Sequence, residues 1–342
     1  MAAAFILILA VSAFIIIFLS MSFVGARKSQ AIYEEFLSNP PKWGKLLQSK
    51  EGKVFGRVKG NGKHTIVIET GAGSICAEWF ETQDRLAANA KVVVYNRPGY
   101  PWSEKPKTRR NPKNIAIELR QMLTNEGLEP PFIIAGHSLG GMIANVFARL
   151  YPSDTQAVVF IDATHPDHRR FEELGPSGKK MSVAGKIMQM RFFKLIINAG
   201  FVSLFSAPLK ILVQMMLPNA SDDLKDEALR GYKSSGVFDA LADELESIID
   251  SSVQFQLLPK FPNIPLRIIC HNPQADVMQM IGQKVPQNDA EGIEKLWQEL
   301  DSSFLTYSSK ARRTVSEKAG HLIHIEDPDI IEKEIIDLIE NL

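Results

Sequence analysis

The sequence predicts an α/β protein: a mostly parallel, twisted sheet with helices on both faces. Three observations carry this. From residue 65 onward, short apolar runs alternate with helix-like stretches. Those runs are apolar throughout rather than at every second position, as in strands buried on both faces. The chain has 342 residues, enough for one α/β core with additions.

The elements follow in order. Residues 2–26 carry no charged side chain and are mostly Ala, Ile, Leu, Phe and Val. A run of that length can cross the ~30 Å hydrocarbon core as a helix. A cleaved signal peptide would start with a basic stretch and have a shorter apolar core, so an uncleaved anchor is expected. Cleavage near Gly25-Ala26, with secretion, is the alternative. Arg27 and Lys28 follow at once, then Lys42, Lys45, Lys50 and Lys53. The positive-inside rule puts this flank, and the domain that follows it, on the cytoplasmic side. Residues 27–50 read as a juxtamembrane linker with a short helix over 31–37, ended by Pro40-Pro41. Strands over 54–58 and 65–69 read as a hairpin across Gly60-Asn61-Gly62. Helices are expected at 77–89, 112–125 and 140–151, between strands at 92–95, 132–135 and 157–161. Later strands fall at 266–270 and 313–316, and a last helix at 328–341. Parallel neighbours joined this way imply right-handed crossovers.

Residues 165–261 break the alternation: they show no good strand and read as helices over 187–197, 201–217 and 224–249. Inserted between core strands, they form a candidate lid, or else a helical subdomain with its own core. The domain layout is thus an anchor (1–26), a linker (27–50), a core (51–164 and 262–342) and a lid (165–261).

Composition narrows the function. Lys plus Arg and Asp plus Glu both number 39, so the net charge is zero, which argues against a nucleic-acid partner. The two cysteines, Cys76 and Cys270, make neither a disulfide framework nor a metal-ligand spacing, and read as buried free thiols. No metal or cofactor is implied, and no pattern specifies an oligomeric state.

The strand over 132–135 runs into Gly136-His137-Ser138-Leu139-Gly140-Gly141 and then a helix. This is G-x-S-x-G in its strand–turn–helix setting. The serine sits on a sharp turn that pushes its hydroxyl above the sheet, and glycines let strand and helix approach closely. Near the C-terminus, Ala319-Gly320-His321 opens a run through His324 to Asp327-Pro328. From about residue 53 to 342, the chain resembles the α/β-hydrolase superfamily, in its serine esterase/lipase-like branch. Ile68-Glu69-Thr70-Gly71-Ala72-Gly73 sits where such enzymes keep their oxyanion loop. Tyr95-Asn96-Arg97-Pro98-Gly99-Tyr100 resembles their D-R-x-G-Y turn, with Asn96 in place of the usual Asp.

The resemblance implies Ser138 as nucleophile and His321 as base, in the order Ser, acid, His. A histidine, titrating near ~6.5 in peptides, can take the serine proton and return it to the leaving group. His324 is expected to be structural. Two carboxylates compete for the acid that orients the imidazole: Asp162, ending the strand before the lid, and Asp276, after the strand that follows it. Asp276 lacks the usual G-x-x-D spacing. The oxyanion donors are expected to be the backbone N–H groups of Leu139 and Ala72. His137, Met142 and His165 are candidate pocket residues. Met188, Met190, Phe192, Phe193, Phe201, Phe205, Met215 and Met216 give the lid an apolar character suited to a lipid-like ester.

The function expected is hydrolysis of a carboxylic ester through an acyl-enzyme. Thioesters, amides and lactones use the same machinery, as would a lyase or peroxidase-type activity. A nucleophilic Asp would mark an epoxide hydrolase or dehalogenase; Ser138 stands there instead. A catalytically silent, membrane-tethered binding module is the alternative of a different class.

Overall fold

A computed structural model describes residues 2–50, 52–181, 187, 206–234, 236–249 and 251–342. The first element is α1 (Ala2–Ser38). It runs unbroken through Arg27 and Lys28, so the expected division between an anchor and a separate short helix is absent. Its charged turn consists of residues with good helix propensity, and nothing there interrupts the backbone ladder. It stops where Asn39-Pro40-Pro41 denies it a donor. Two surfaces differ along it. Ile15, Ile16, Ile17, Leu19, Phe23 and Val24 stand exposed, whereas Phe36 is 2% exposed and meets Trp102 edge-on at 6.2 Å. By length and composition α1 can cross a membrane.

Eight strands form one sheet: β1 (Lys45–Ser49), β2 (Gly52–Lys59), β3 (Thr65–Glu69), β4 (Lys91–Tyr95), β5 (Phe132–His137), β6 (Thr155–Ile161), β7 (Leu266–Cys270) and β8 (Ala311–Val315). Their spatial order is β1-β2-β4-β3-β5-β6-β7-β8. The β1–β2 and β2–β4 pairs are antiparallel and every later pair is parallel. Every residue of β3, β5 and β7 is buried, which explains their continuous apolar character.

The expected hairpin between β2 and β3 does not form, because β4 lies between them. The hairpin partner of β2 is β1, inside the stretch expected to be a linker. The glycines that suggested a turn serve close packing instead. A Cβ on Gly60 would meet the Ala90 carbonyl oxygen at 2.0 Å, and one on Gly62 the Asn89 carbonyl at 2.2 Å.

The helices of the core are α2 (Phe80–Leu86), α3 (Pro112–Asn125) and α4 (Leu139–Leu150). Asn111 caps α3 by accepting from the Asn114 N–H, with Pro112 at the first helical position. The stretch 165–261 contains α5 (Gly175–Met181), α6 (Ala207–Met216), α7 (Asp222–Tyr232), α8 (Val237–Ile249) and α9 (Ser251–Gln256), and no strand among its described residues. Gly236, at φ +109, separates α7 from α8 in what reads as one helical stretch. Most of the helix expected over 187–197, and Met188, Met190, Phe192, Phe193, Phe201 and Phe205, lie outside the described residues. Of the remaining apolar lid residues, Met215 is exposed and Met216 half-buried.

After β7 come two helices that the sequence reading did not include, α10 (Pro273–Gly282) and α11 (Gln287–Ser303). Asn272 caps α10, accepting from Gln274 and Ala275 N–H. After β8, a single turn, α12 (Ile323–Glu326), leads into α13 (Pro328–Glu340).

Candidate active site

Parallel strands point their carboxyl ends the same way, and the loops at those ends form a crevice. The turn after β5 carries Ser138, at φ 52 and ψ −118. This left-handed conformation costs a side-chain-bearing residue about 1–3 kcal/mol, and its surroundings hold it there. Ser138 N–H donates to the Ile161 carbonyl at 3.1 Å, and its own carbonyl accepts from Gly141 (3.0 Å) and Thr164 (2.9 Å). The glycines are needed for space. A Cβ on Gly136 would lie 2.2 Å from the Gly140 carbonyl oxygen, and one on Gly140 2.1 Å from that of Glu69.

Asp162 directly follows β6 with φ +44, and its N–H donates to the Ile269 carbonyl at 2.7 Å. Its carboxylate is fully buried, and Oδ2 lies 2.5 Å from Nδ1 of His321. Burial alone would raise its pKa; His271 and His321 facing it more than offset this and hold it well below the usual carboxylate range. His321 keeps 35% of its side chain exposed, so its other ring edge has access to the crevice. His137 Nε2 lies 2.9 Å from the His321 carbonyl oxygen, tying this loop to the residue before Ser138.

Asp276 lies in the first turn of α10, near His271 and Glu294, and it is Asp162 that His321 takes as carboxylate partner. Burial raises Asp276 above the usual range. His324 is buried, stacked on Trp79 at 4.3 Å, with Nε2 at 3.4 Å from Glu78. Burial pushes His324 down to about 3 and Glu78 up to about 7. His137, Met142 and His165 are also buried.

The loop Gly71-Ala72-Gly73 abuts the turn after β5: a Cβ on Gly71 would lie 3.4 Å from that of Ser138. Arg97 anchors the loop by donating to the carbonyls of Thr70 (2.8 Å) and Gly71 (2.9 Å). Its guanidinium also pairs with Glu244 of α8 at 2.7 Å, both side chains being almost wholly buried. Tyr100 hydroxyl accepts from Gly73 N–H at 2.8 Å, and Tyr232 of α7 donates to the Gly73 carbonyl at 2.9 Å. One helix of the 165–261 stretch, α7, thus braces this loop directly, and α8 does so through Arg97 and Tyr100. Glu69, beside Arg97 and bonded by Tyr95, is pushed up to about 7 by burial.

Sequence reasoning missed three residues around Asp162. His271 follows β7 and places Nδ1 at 2.8 and 2.9 Å from the two Asp162 oxygens. Its Nε2 faces Glu294 of α11 at 2.9 Å, and Trp297, one turn on, donates to Asp162 at 3.3 Å. The Asn272-Pro273 cap was the available signal that a helix, not a G-x-x-D turn, follows β7. Among the described residues, His271, Asp276 and Glu294 could bring ligand atoms within 4.8 Å of one another. Both ring nitrogens of His271 are already engaged, so we assign no metal there. Cys76 and Cys270 are buried free thiols.

A strained serine between a parallel strand and a helix, a Ser–Asp–His chain order and a braced glycine loop define the α/β-hydrolase fold. The chain has this fold, and the family described as alpha/beta hydrolase fold matches its residues 64–183. A Bacillus subtilis relative, the uncharacterized protein YbdG, is 27% identical over 146 residues, 42% of each chain. The chain therefore spans less than half the length of that relative. An AB hydrolase superfamily protein of Gibberella zeae is 25% identical over 79% of this chain and 84% of its own. In structure the chain is similar to a thermophilic esterase from Thermogutta terrifontis. The TM-score is 0.58 with 15% identity, covering 87% of this chain and 98% of that one. That likeness concerns the fold alone.

Proposed function

We propose that this protein is a serine hydrolase cleaving a carboxylic ester of an apolar, lipid-like substrate, tethered to a membrane by α1. The single observation that carries this reading is the 2.5 Å contact between Asp162 and His321, in the loops beside a serine in the left-handed conformation. Ser138 attacks the carbonyl carbon while His321 takes its proton. Asp162, ionised and buried, holds the imidazole with Nδ1–H directed at itself, leaving Nε2 to act as base. The oxyanion that develops is met by the N–H of Leu139, at the start of α4 where backbone donors lack intrahelical acceptors, and by the N–H of Ala72. Each such donor contributes about 3 kcal/mol. The tetrahedral intermediate collapses, His321 protonates the leaving alcohol, and a water deprotonated by His321 then frees the acid. The basic residues after the apolar part of α1 favour a catalytic domain on the cytoplasmic side.

Hydrolysis of p-nitrophenyl esters of increasing acyl length tests this. The expected result is turnover that rises with chain length in wild type and vanishes in Ser138→Ala. Turnover confined to short, water-soluble acyl chains would refute the lipid-like substrate. No turnover of any ester by the folded chain would favour the silent binding module.

A further inference from the structure

We propose that His271 is a positioning residue for this reaction: clamped between Asp162 and Glu294, it fixes the carboxylate that meets His321 and, with Glu294 behind it, sets the net charge His321 faces. The inference rests on the reading of Asp162 as the acid. The parallel register pairs Ile161 with Ile269, and Asp162 and His271, each the first residue after its strand, come together at the strand ends. His271 is 1% exposed. Its Nδ1 bridges both Asp162 oxygens, at 2.8 and 2.9 Å, and its Nε2 lies 2.9 Å from Glu294 Oε2. The second Glu294 oxygen accepts from Gln298 at 2.7 Å, and Trp297 adds a donor to Asp162 at 3.3 Å.

Two carboxylates, one at each ring nitrogen, call for a hydrogen on both nitrogens, which is the imidazolium. Burial opposes that charge, but Asp162 and Glu294 more than offset it and push His271 up to about 11. The line Glu294, His271, Asp162 therefore carries minus, plus, minus. An Asp162–His271 pair alone would be neutral and would do little for an imidazolium at His321. Glu294 restores one net negative charge. Other groups facing this line are Asp276 from α10 and Asp301 from α11. His137 and His324 flank His321 from β5 and α12. None of these changes in the variants below.

The test measures p-nitrophenyl butyrate hydrolysis against pH by the full-length chain and by His271→Gln, Glu294→Gln and Asp162→Asn. Loss of the cation in His271→Gln should move the acid limb of kcat/KM to higher pH and lower kcat about 10–100-fold with little change in KM. Loss of the anion in Glu294→Gln should move the same limb to lower pH by about half a unit or more. Opposite displacements are not what general loosening of the site produces. Limbs that coincide with wild type, or move the same way, would overturn the proposal, and a collapse of kcat in Asp162→Asn would then leave the acid assignment standing. Full activity in Asp162→Asn would remove that assignment and this inference with it. Should His271→Gln fail to fold, the Glu294→Gln limb decides alone: a downward move supports the proposal and an unchanged limb overturns it.

Discussion

Asp162 Oδ2 and His321 Nδ1 meet at 2.5 Å although 159 residues separate them in the chain. The contact joins a strand end before the helical insertion to a loop near the C-terminus, and it bypasses Asp276. Replacing Asp162 by Asn should lower kcat on the order of 10³–10⁴-fold with KM little changed, because the imidazole loses its orienting anion. Asp276→Asn should stay within several-fold of wild type. Steady-state kinetics on one ester distinguish them.

Gly140 touches the end of β3 so closely that a methyl group has no room, with the Glu69 carbonyl 2.1 Å from its place. Gly140→Ala should therefore cost at least ~1–3 kcal/mol and displace Ser138 as the backbone shifts. A lowered thermal midpoint together with loss of esterase turnover is the expected pair of readouts.

The Arg97–Glu244 pair binds the Gly71 loop to α8 in a buried setting. Removing one partner leaves the other charge buried without its mate, at a cost of ~3–5 kcal/mol. Arg97→Met should thus lose that much in chemical denaturation.

On the acid side, stability should fall steeply only below about pH 4.5. Burial depresses His165 and His168 to about 4, His324 to about 3 and His137 well below its ordinary value. A depressed group gives stability present above its unfolded value, ~6.5, and lost as pH falls through the folded one. Burial raises Glu69, Glu78 and Asp301 to about 7. A raised group gives stability present below its unfolded value, ~4, and lost as pH rises through the folded one. Between roughly pH 4.5 and 6.5 the two sets oppose each other; lower down the histidines act alone with Asp162. Thermal midpoints against pH should show a shallower acid loss for His324→Gln and an earlier onset of loss, nearer pH 6.5, for Glu78→Gln.

The two parts of α1 should be separable. Removing residues 1–26 should release the protein from membranes and leave esterase activity intact. Phe36→Ala, which empties a packed site against Trp102, should cost about 3–5 kcal/mol. Carbonate extraction and thermal denaturation read these outcomes.

Much of this fold was legible locally. The buried strands announce themselves as apolar runs, and Gly136, Ser138 and Gly140 carry their turn in their spacing. What the sequence left open depends on contacts across the chain. Asp162 and Asp276 both end or follow a strand, and only long-range packing decides which of them meets His321. The strand Lys45–Ser49 is short and half-polar, so it has no apolar run to mark it, although its partner β2 follows at once with Ser49 opposite Gly52. Gly60 and Gly62 have the composition of a turn but are there because Ala90 and Asn89 press against them. His271 and Glu294 gain meaning only from each other's position.

Whether Ser138 is an activated nucleophile is read by covalent labelling of the full-length chain with a fluorophosphonate, followed by intact mass and peptide mapping. The expected result is a single adduct on Ser138, lost in Ser138→Ala and slowed on the order of 10³-fold or more in His321→Ala. A folded wild-type chain that takes up no label, or takes it up on another residue, would contradict it.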